Sequence, residues 1–150
     1  MIRGISHITF IVKDLERMSR LLIEIFNARE IYDSKGRDFS LSREKFFMIN
    51  DLWVAVMEGD PLPEKTYNHI AFKIADTDYD AYLSRIRSFG LEIRESRPRF
   101  EQEGRSVYFY DDDNHLFELH TGTLDQRMDL YKSADTEDPA DHQLRDSNTP

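Results

Sequence analysis

His7-Ile8-Thr9-Phe10-Ile11-Val12 and His69-Ile70-Ala71-Phe72-Lys73-Ile74 are one phrase written twice. Each copy leads into an acidic turn and then a segment with apolar residues at helical spacing. A repeat of this length implies two copies of one supersecondary unit. In the first copy His7 and Thr9 fall on one face of the alternating strand, and Ile8, Phe10 and Val12 on the other. Asp14 reads as a helix N-cap, Leu15, Met18, Leu22, Ile25 and Phe26 form an inward stripe, and Asn27 ends the helix. Three strands are expected near 29–33, 38–49 and 52–58, broken at Gly36, Asn50-Asp51 and Gly59-Asp60-Pro61.

The second copy repeats that order. Residues 67–74 read as a strand with Tyr67, His69 and Ala71 on one face. A helix follows from about Thr77 to Phe89, with Tyr79, Tyr82, Leu83, Ile86 and Phe89 inward and Gly90 as its C-cap. Strands are expected near 91–95, 105–111 and 115–120. The fold class is therefore α+β, with two βαβββ modules spanning 1–60 and 61–132. A short helix over 123–132 closes the second module. Residues 133–150 carry five acids against one arginine and no apolar period, and read as a disordered acidic tail.

Composition narrows the function. The chain has 150 residues, 39% hydrophobic and 12% aromatic, enough for a packed core. No apolar run approaches the ~20 residues of a membrane span, and the N-terminus lacks the pattern of a signal peptide. A cytoplasmic, non-membrane protein is expected. The net charge of −9 argues against a nucleic-acid partner. With no cysteine, there is no disulfide or thiol nucleophile, and any metal must be held by His, Asp or Glu.

His7 and His69 hold equivalent places in the repeat, so paired modules would bring both imidazoles to one groove. Glu118, in Leu116-Phe117-Glu118-Leu119-His120, puts a carboxylate on an inward-facing strand, which is unfavourable unless it is paired or metal-bound. Two imidazoles and one carboxylate can hold Mn²⁺, Fe²⁺ or Zn²⁺ with positions left open for substrate. Singly, each is more simply a polar strand residue; together, in a repeat, they point to a metal. His120 competes as a ligand because it shares the face of Glu118. His115 reads as structural, and His142 lies in the tail. Arg97, Arg99, Arg105 and Arg127 cluster late in the chain, where guanidinium forks would suit phosphate or phosphonate oxygens. Ser106 and Tyr108 share one strand face and could add hydroxyl donors. Asp111-Asp112-Asp113-Asn114 lacks the spacing of a calcium loop and reads as a hairpin turn. Glu44 alone would be read as a surface charge.

The module with His7, His69 and Glu118 resembles the vicinal oxygen chelate superfamily, which includes glyoxalase I and extradiol dioxygenases. Within it the chain is most similar to the fosfomycin-resistance proteins. Five segments carry the likeness: residues 4–10, Asp51-Leu52-Trp53, residues 66–72, residues 104–110 and residues 118–124. It covers about residues 1–132. Ser40-Leu41-Ser42-Arg43-Glu44-Lys45-Phe46-Phe47 resembles the segment in which the hydrolytic branch carries its general base. The lysine that the glutathione branch uses for the phosphonate has no counterpart, since Arg97-Pro98-Arg99 stands in that region. The resemblance implies a fosfomycin epoxide hydrolase that makes an inactive diol. It implies Mn²⁺ on His7, His69 and Glu118, with Glu44 as base and Thr9 on the leaving oxygen. Arg127, Ser106 and Tyr108 would grip the phosphonate, and Trp53 and Tyr67 would line the pocket. It also implies a homodimer in which His7 of one subunit meets His69 and Glu118 of the other. The alternatives are a thiol transferase acting on fosfomycin, another metalloenzyme of the superfamily such as a lyase or dioxygenase, and a metal-free drug-binding protein.

Overall fold

The computed structural model describes residues 1–37, 41–95 and 103–136. Among them, eight strands form two four-stranded sheets. The first contains β1 (His7–Val12), β2 (Arg29–Asp33), β3 (Glu44–Ile49) and β4 (Leu52–Glu58), in the order β1-β4-β3-β2. The second contains β5 (His69–Lys73), β6 (Glu92–Arg94), β7 (Ser106–Tyr110) and β8 (Leu116–His120), in the equivalent order β5-β8-β7-β6. In each, the first strand runs parallel to the last and the remaining pairs are antiparallel. The repeat read from the histidine phrases is thus a repeat of topology.

Helix α1 (Leu15–Phe26) starts where expected, because the Asp14 carboxylate accepts the backbone N–H of Arg17 at 2.8 Å. It stops at Asn27, which adopts the left-handed conformation (φ 53°). Leu15, Met18, Leu22, Ile25 and Phe26 are all buried. They join Phe10 and Val12 of β1, Phe47 of β3, Ile86 of α2 (Tyr79–Phe89), and Val107, Phe109, Phe117 and Leu119 of the second sheet in one core. Phe26 stitches the halves together, with its ring 4.8 Å from Phe72 and 5.4 Å from Phe117. One face of each sheet is consumed by this core. The other faces carry His7, Thr9 and Ile11, and His69, Ala71 and Lys73, all exposed.

Several boundaries differ from the sequence expectation. Tyr67 precedes β5, because the β8 partner row begins at His69 opposite Leu116 and Asn68 N–H turns back to Thr66 Oγ1. A 3₁₀ turn at Asp76–Asp78 precedes α2, and of the five apolar residues expected inward on α2 only Ile86 is fully buried. The last helix, α3 (Leu124–Thr136), runs four residues past 132. A reciprocal cap starts it: Thr123 N–H donates to Gln126 Oε1 at 2.8 Å and Gln126 N–H to Thr123 Oγ1 at 3.2 Å. No glycine or proline interrupts the chain before Pro139. The expected start of the third strand at 38–40, the arginines Arg97 and Arg99, His142 and residues 137–150 lie outside the described residues. No helix among the described residues is long and apolar enough to cross a membrane.

Candidate active site

Register decides what faces what. Cross-strand partners share a face, so the open face of the second sheet carries the row Ala71–Glu118–Tyr108–Arg94. On either side lie His69–Leu116–Tyr110 and Lys73–His120–Ser106. The second phrase histidine therefore stands beside the carboxylate: His69 Nε2 is 3.0 Å from Glu118 Oε2. The other ring nitrogen of His69, Nδ1, is 2.8 Å from the carbonyl oxygen of Tyr67. A carbonyl only accepts, so Nδ1 carries the hydrogen and donates it. A neutral imidazole then aims a lone pair at a carboxylate, an arrangement that calls for a cation between them, either a proton or a metal ion. Ligand atoms about 2.1 Å from an octahedral ion on adjacent positions lie about 3.0 Å apart. A backbone carbonyl behind a metal-binding histidine is the usual outer support. The residues present fit a divalent metal.

Glu118 is 5% exposed. Ser106 Oγ donates to its Oε1 at 2.6 Å, and His120 Nδ1 lies 2.8 Å from the same Ser106 oxygen. Aromatic walls surround the pair. Tyr108 meets His69 edge-on at 5.3 Å, and the Tyr67 ring is 5.0 Å from His69, with its hydroxyl 3.4 Å from that of Tyr108.

The first sheet has a matching open face. His7 pairs with Trp53 and Trp53 with Met48; Thr9, Ala55 and Phe46 form the next row, and Ile11, Met57 and Glu44 the third. His7 lies against the Trp53 ring at 4.4 Å. The Trp53 indole N–H is buried without a hydrogen-bond partner among the described residues. Glu44 shares the face of His7 and Thr9 but sits two strands and four residues from His7, roughly 16 Å on a flat lattice. Any joint action of the two must pass through a substrate lying between them. Glu44 is 9% exposed, and its carboxylate has no hydrogen bond or ion pair among the described residues.

Within one chain His7 does not join His69 and Glu118, and no group of three His, Asp or Glu able to hold a metal occurs among the described residues. Thr9 and His69 do line one cleft, of about 570 Å³, between the edges of β1 and β5 with Ile8, Phe10, Ile70 and His115. Its volume suits a small molecule. A second cavity, of about 640 Å³, is lined by Asp14, Glu16, Asp112 and Asp113 and by none of these residues.

Not every late cation faces the site. Arg105 donates to Asp76 at 2.9 Å and stacks on Tyr79. That hydrogen bond holds the Asp76 carboxyl below its usual range, and Asp76 in turn raises Arg105. Arg105 is therefore a brace for the loop before β7. Arg127 lies half-buried on the first turns of α3. The Lys73 ammonium fixes the start of that helix by donating to the carbonyls of Thr121 and Gly122. His115 is structural as expected, donating from Nδ1 to Asp111 Oδ2 at 2.7 Å inside the hairpin turn. Sequence reasoning missed Arg94, on the Glu118 row with its guanidinium 4.6 Å from the Tyr67 ring centre. The strand that carries it, β6, spans three residues, too short an alternation to mark a face in the sequence.

Known proteins of similar sequence and fold place the chain in a family. Fosfomycin resistance protein FosX of Mesorhizobium japonicum is 63% identical over 128 residues, covering 85% of this chain and 92% of that protein. The crystal structure of a FosX variant from Listeria monocytogenes, complexed with Mn(II) and 1S,2S-dihydroxypropylphosphonic acid, superposes with a TM-score of 0.79. It is 56% identical, and the match covers 87% of this chain and 99% of that one. Metallothiol transferase FosB of Staphylococcus saprophyticus is more distant, 32% identical over 136 residues, covering 88% of this chain and 85% of that protein. The model of the Glyoxalase/Bleomycin resistance protein/Dioxygenase superfamily matches residues 4–119, and the chain belongs to that superfamily.

Proposed function

We propose that this protein is a Mn²⁺-dependent epoxide hydrolase that adds water to the oxirane of fosfomycin, a phosphonate epoxide, and so confers resistance to it. The observation that carries the reading is the 3.0 Å convergence of His69 Nε2 and Glu118 Oε2, in a chain 63% identical to a FosX protein. The diol phosphonate bound with Mn(II) in the Listeria relative is what water addition to such an epoxide yields. His69 and Glu118 hold the ion, with His7 of the partner subunit as third ligand. A homodimer is supported by two open sheet faces, with Ile11 exposed on one and Ile5 and Tyr67 exposed just before β1 and β5, and by a His7 that finds no metal partner among the described residues of its own chain. We place the protein in the cytoplasm as part of the same reading.

The chemistry a bound Mn²⁺ supplies is Lewis acidity at the oxirane oxygen. Glu44 accepts a proton from water on a carboxylate that has no partner among the described residues. The water oxygen bonds to the ring carbon that bears phosphorus, and that carbon's bond to the ring oxygen breaks; the ring oxygen takes up a proton from solvent to complete the diol, and Glu44 returns its proton to solvent. Thr9, one row from His7, holds the departing oxygen by a hydrogen bond. The hydroxyl of Tyr108 and the guanidinium of Arg127 bind the phosphonate. Trp53 and Tyr67 wall the pocket and keep bulk water away from the ring.

A thiol transferase shares the metal and the substrate and differs in the nucleophile. Glu44→Gly separates the two. General-base catalysis contributes about 10²–10⁴-fold, so hydrolysis should fall by at least ~10² while Mn²⁺ binding stays unchanged. Full hydrolysis by the variant would remove Glu44 from the mechanism.

A further inference from the structure

We propose that Ser106 and His120 are positioning residues for the metal ligand Glu118, a three-residue relay that fixes which carboxylate oxygen meets the ion. The proposal rests on the metal reading above and deepens it.

Hydrogen placement is forced by chemistry. An ionised carboxylate only accepts, so the Ser106 hydroxyl must donate its hydrogen to Glu118 Oε1, at 2.6 Å. The remaining lone pairs of Ser106 Oγ must then accept, and the neighbour at 2.8 Å is His120 Nδ1, which therefore carries its hydrogen. The direction runs His120 to Ser106 to Glu118. Oε1 is engaged by this chain, and Oε2 points at His69 Nε2. Glu118 is thereby prepared to bind the ion through Oε2 alone.

The relay is rigidly framed. Ser106 is 8% exposed and faces His120 directly in the β7–β8 ladder. Its carbonyl accepts the Tyr79 hydroxyl at 3.1 Å. The His120 ring is backed by Gly122, where an added Cβ would lie 2.7 Å from its Nε2 and 2.3 Å from the carbonyl oxygen of Glu103. The serine hydrogen spent on Glu118 is not available to a phosphonate oxygen. Ser106 therefore serves the metal, and the role in gripping substrate falls to Tyr108 and Arg127.

The test is direct titration of EDTA-stripped, dialysed protein with Mn²⁺, reading the six-line electron paramagnetic resonance signal of the free ion. Wild type is compared with Ser106→Ala, Ser106→Thr, His120→Asn and His120→Leu. Outer-shell partners of metal ligands are worth about 10–100-fold in affinity. Ser106→Ala should weaken Mn²⁺ binding by that factor, and Ser106→Thr, which keeps the hydroxyl, should restore it to within a few-fold. His120→Asn, whose amide N–H can replace Nδ1–H, should bind Mn²⁺ almost as wild type does. His120→Leu should lose affinity, with no further loss when combined with Ser106→Ala. Unchanged Mn²⁺ affinity in Ser106→Ala, with a raised KM for fosfomycin, would overturn the relay and return Ser106 to the phosphonate. Wild-type protein that binds no Mn²⁺ would overturn the metal reading itself, a distinct result.

Discussion

Asp113 shows how one residue can oppose the fold it belongs to. It is 6% exposed in the β7–β8 turn and accepts the Lys13 backbone N–H at 2.9 Å. Burial, with the charges of Asp111 and Asp112 adding to it, raises its carboxyl above the usual carboxylate range. A raised acid favours the fold while neutral, and that contribution fades as pH climbs through the raised value. Asp113→Asn keeps the acceptor and removes the charge. It should melt at a higher temperature than wild type at pH 7, with the gap closing as pH falls into the ordinary carboxylate range. Equal melting at pH 7 would show that the turn tolerates the charge. The same scale sets how much of the site was legible in sequence. His7, His69 and Glu118 stood out because the repeat marked equivalent histidines and put a carboxylate among apolar residues. The Ser106–His120 contact was illegible, because it depends on the register that the turn at Asp111–Asn114 gives to β7 and β8.

At the scale of elements, the joint between the loop before β7 and the start of α3 governs the site. Gly104 has φ +77°, and a Cβ there would meet the Gly122 nitrogen at 2.5 Å; the two glycines let these backbones touch. Lys73 ties the same segment to β5. Gly122→Ala must push against backbone, and overpacking of this kind costs about 1–3 kcal/mol. The variant should lose several degrees in Tm and also bind Mn²⁺ less tightly, because the His120 ring is displaced. An unchanged Tm would mean that the joint is slack. Element types and order could be read from the sequence because apolar periodicity and caps agree, as at Asp14 and Asn27. Boundaries could not where tertiary partners set them: β5 begins where β8 supplies its partner, and α3 runs on for want of a breaker. The side chains of β6 gave too short an alternation to place Arg94.

At the scale of the molecule, the proposed function has each chain offer half of two sites. His69 and Glu118 are assembled within the second sheet, while His7, Thr9 and Glu44 lie on the first. Activity per chain should therefore fall on dilution below the dimer dissociation constant, in step with the appearance of monomer on sizing. Constant activity in a solution of monomers would place the whole site within one chain. The central claim is that water, with no thiol, opens the epoxide at a metal held by these residues. Phosphorus NMR of fosfomycin incubated with purified protein and Mn²⁺, in the absence of any thiol, tests it most directly. The diol phosphonate should appear, and EDTA should abolish it. Fosfomycin that stays intact until glutathione or a related thiol is added, and then forms an adduct, would contradict hydrolysis and make the protein a transferase.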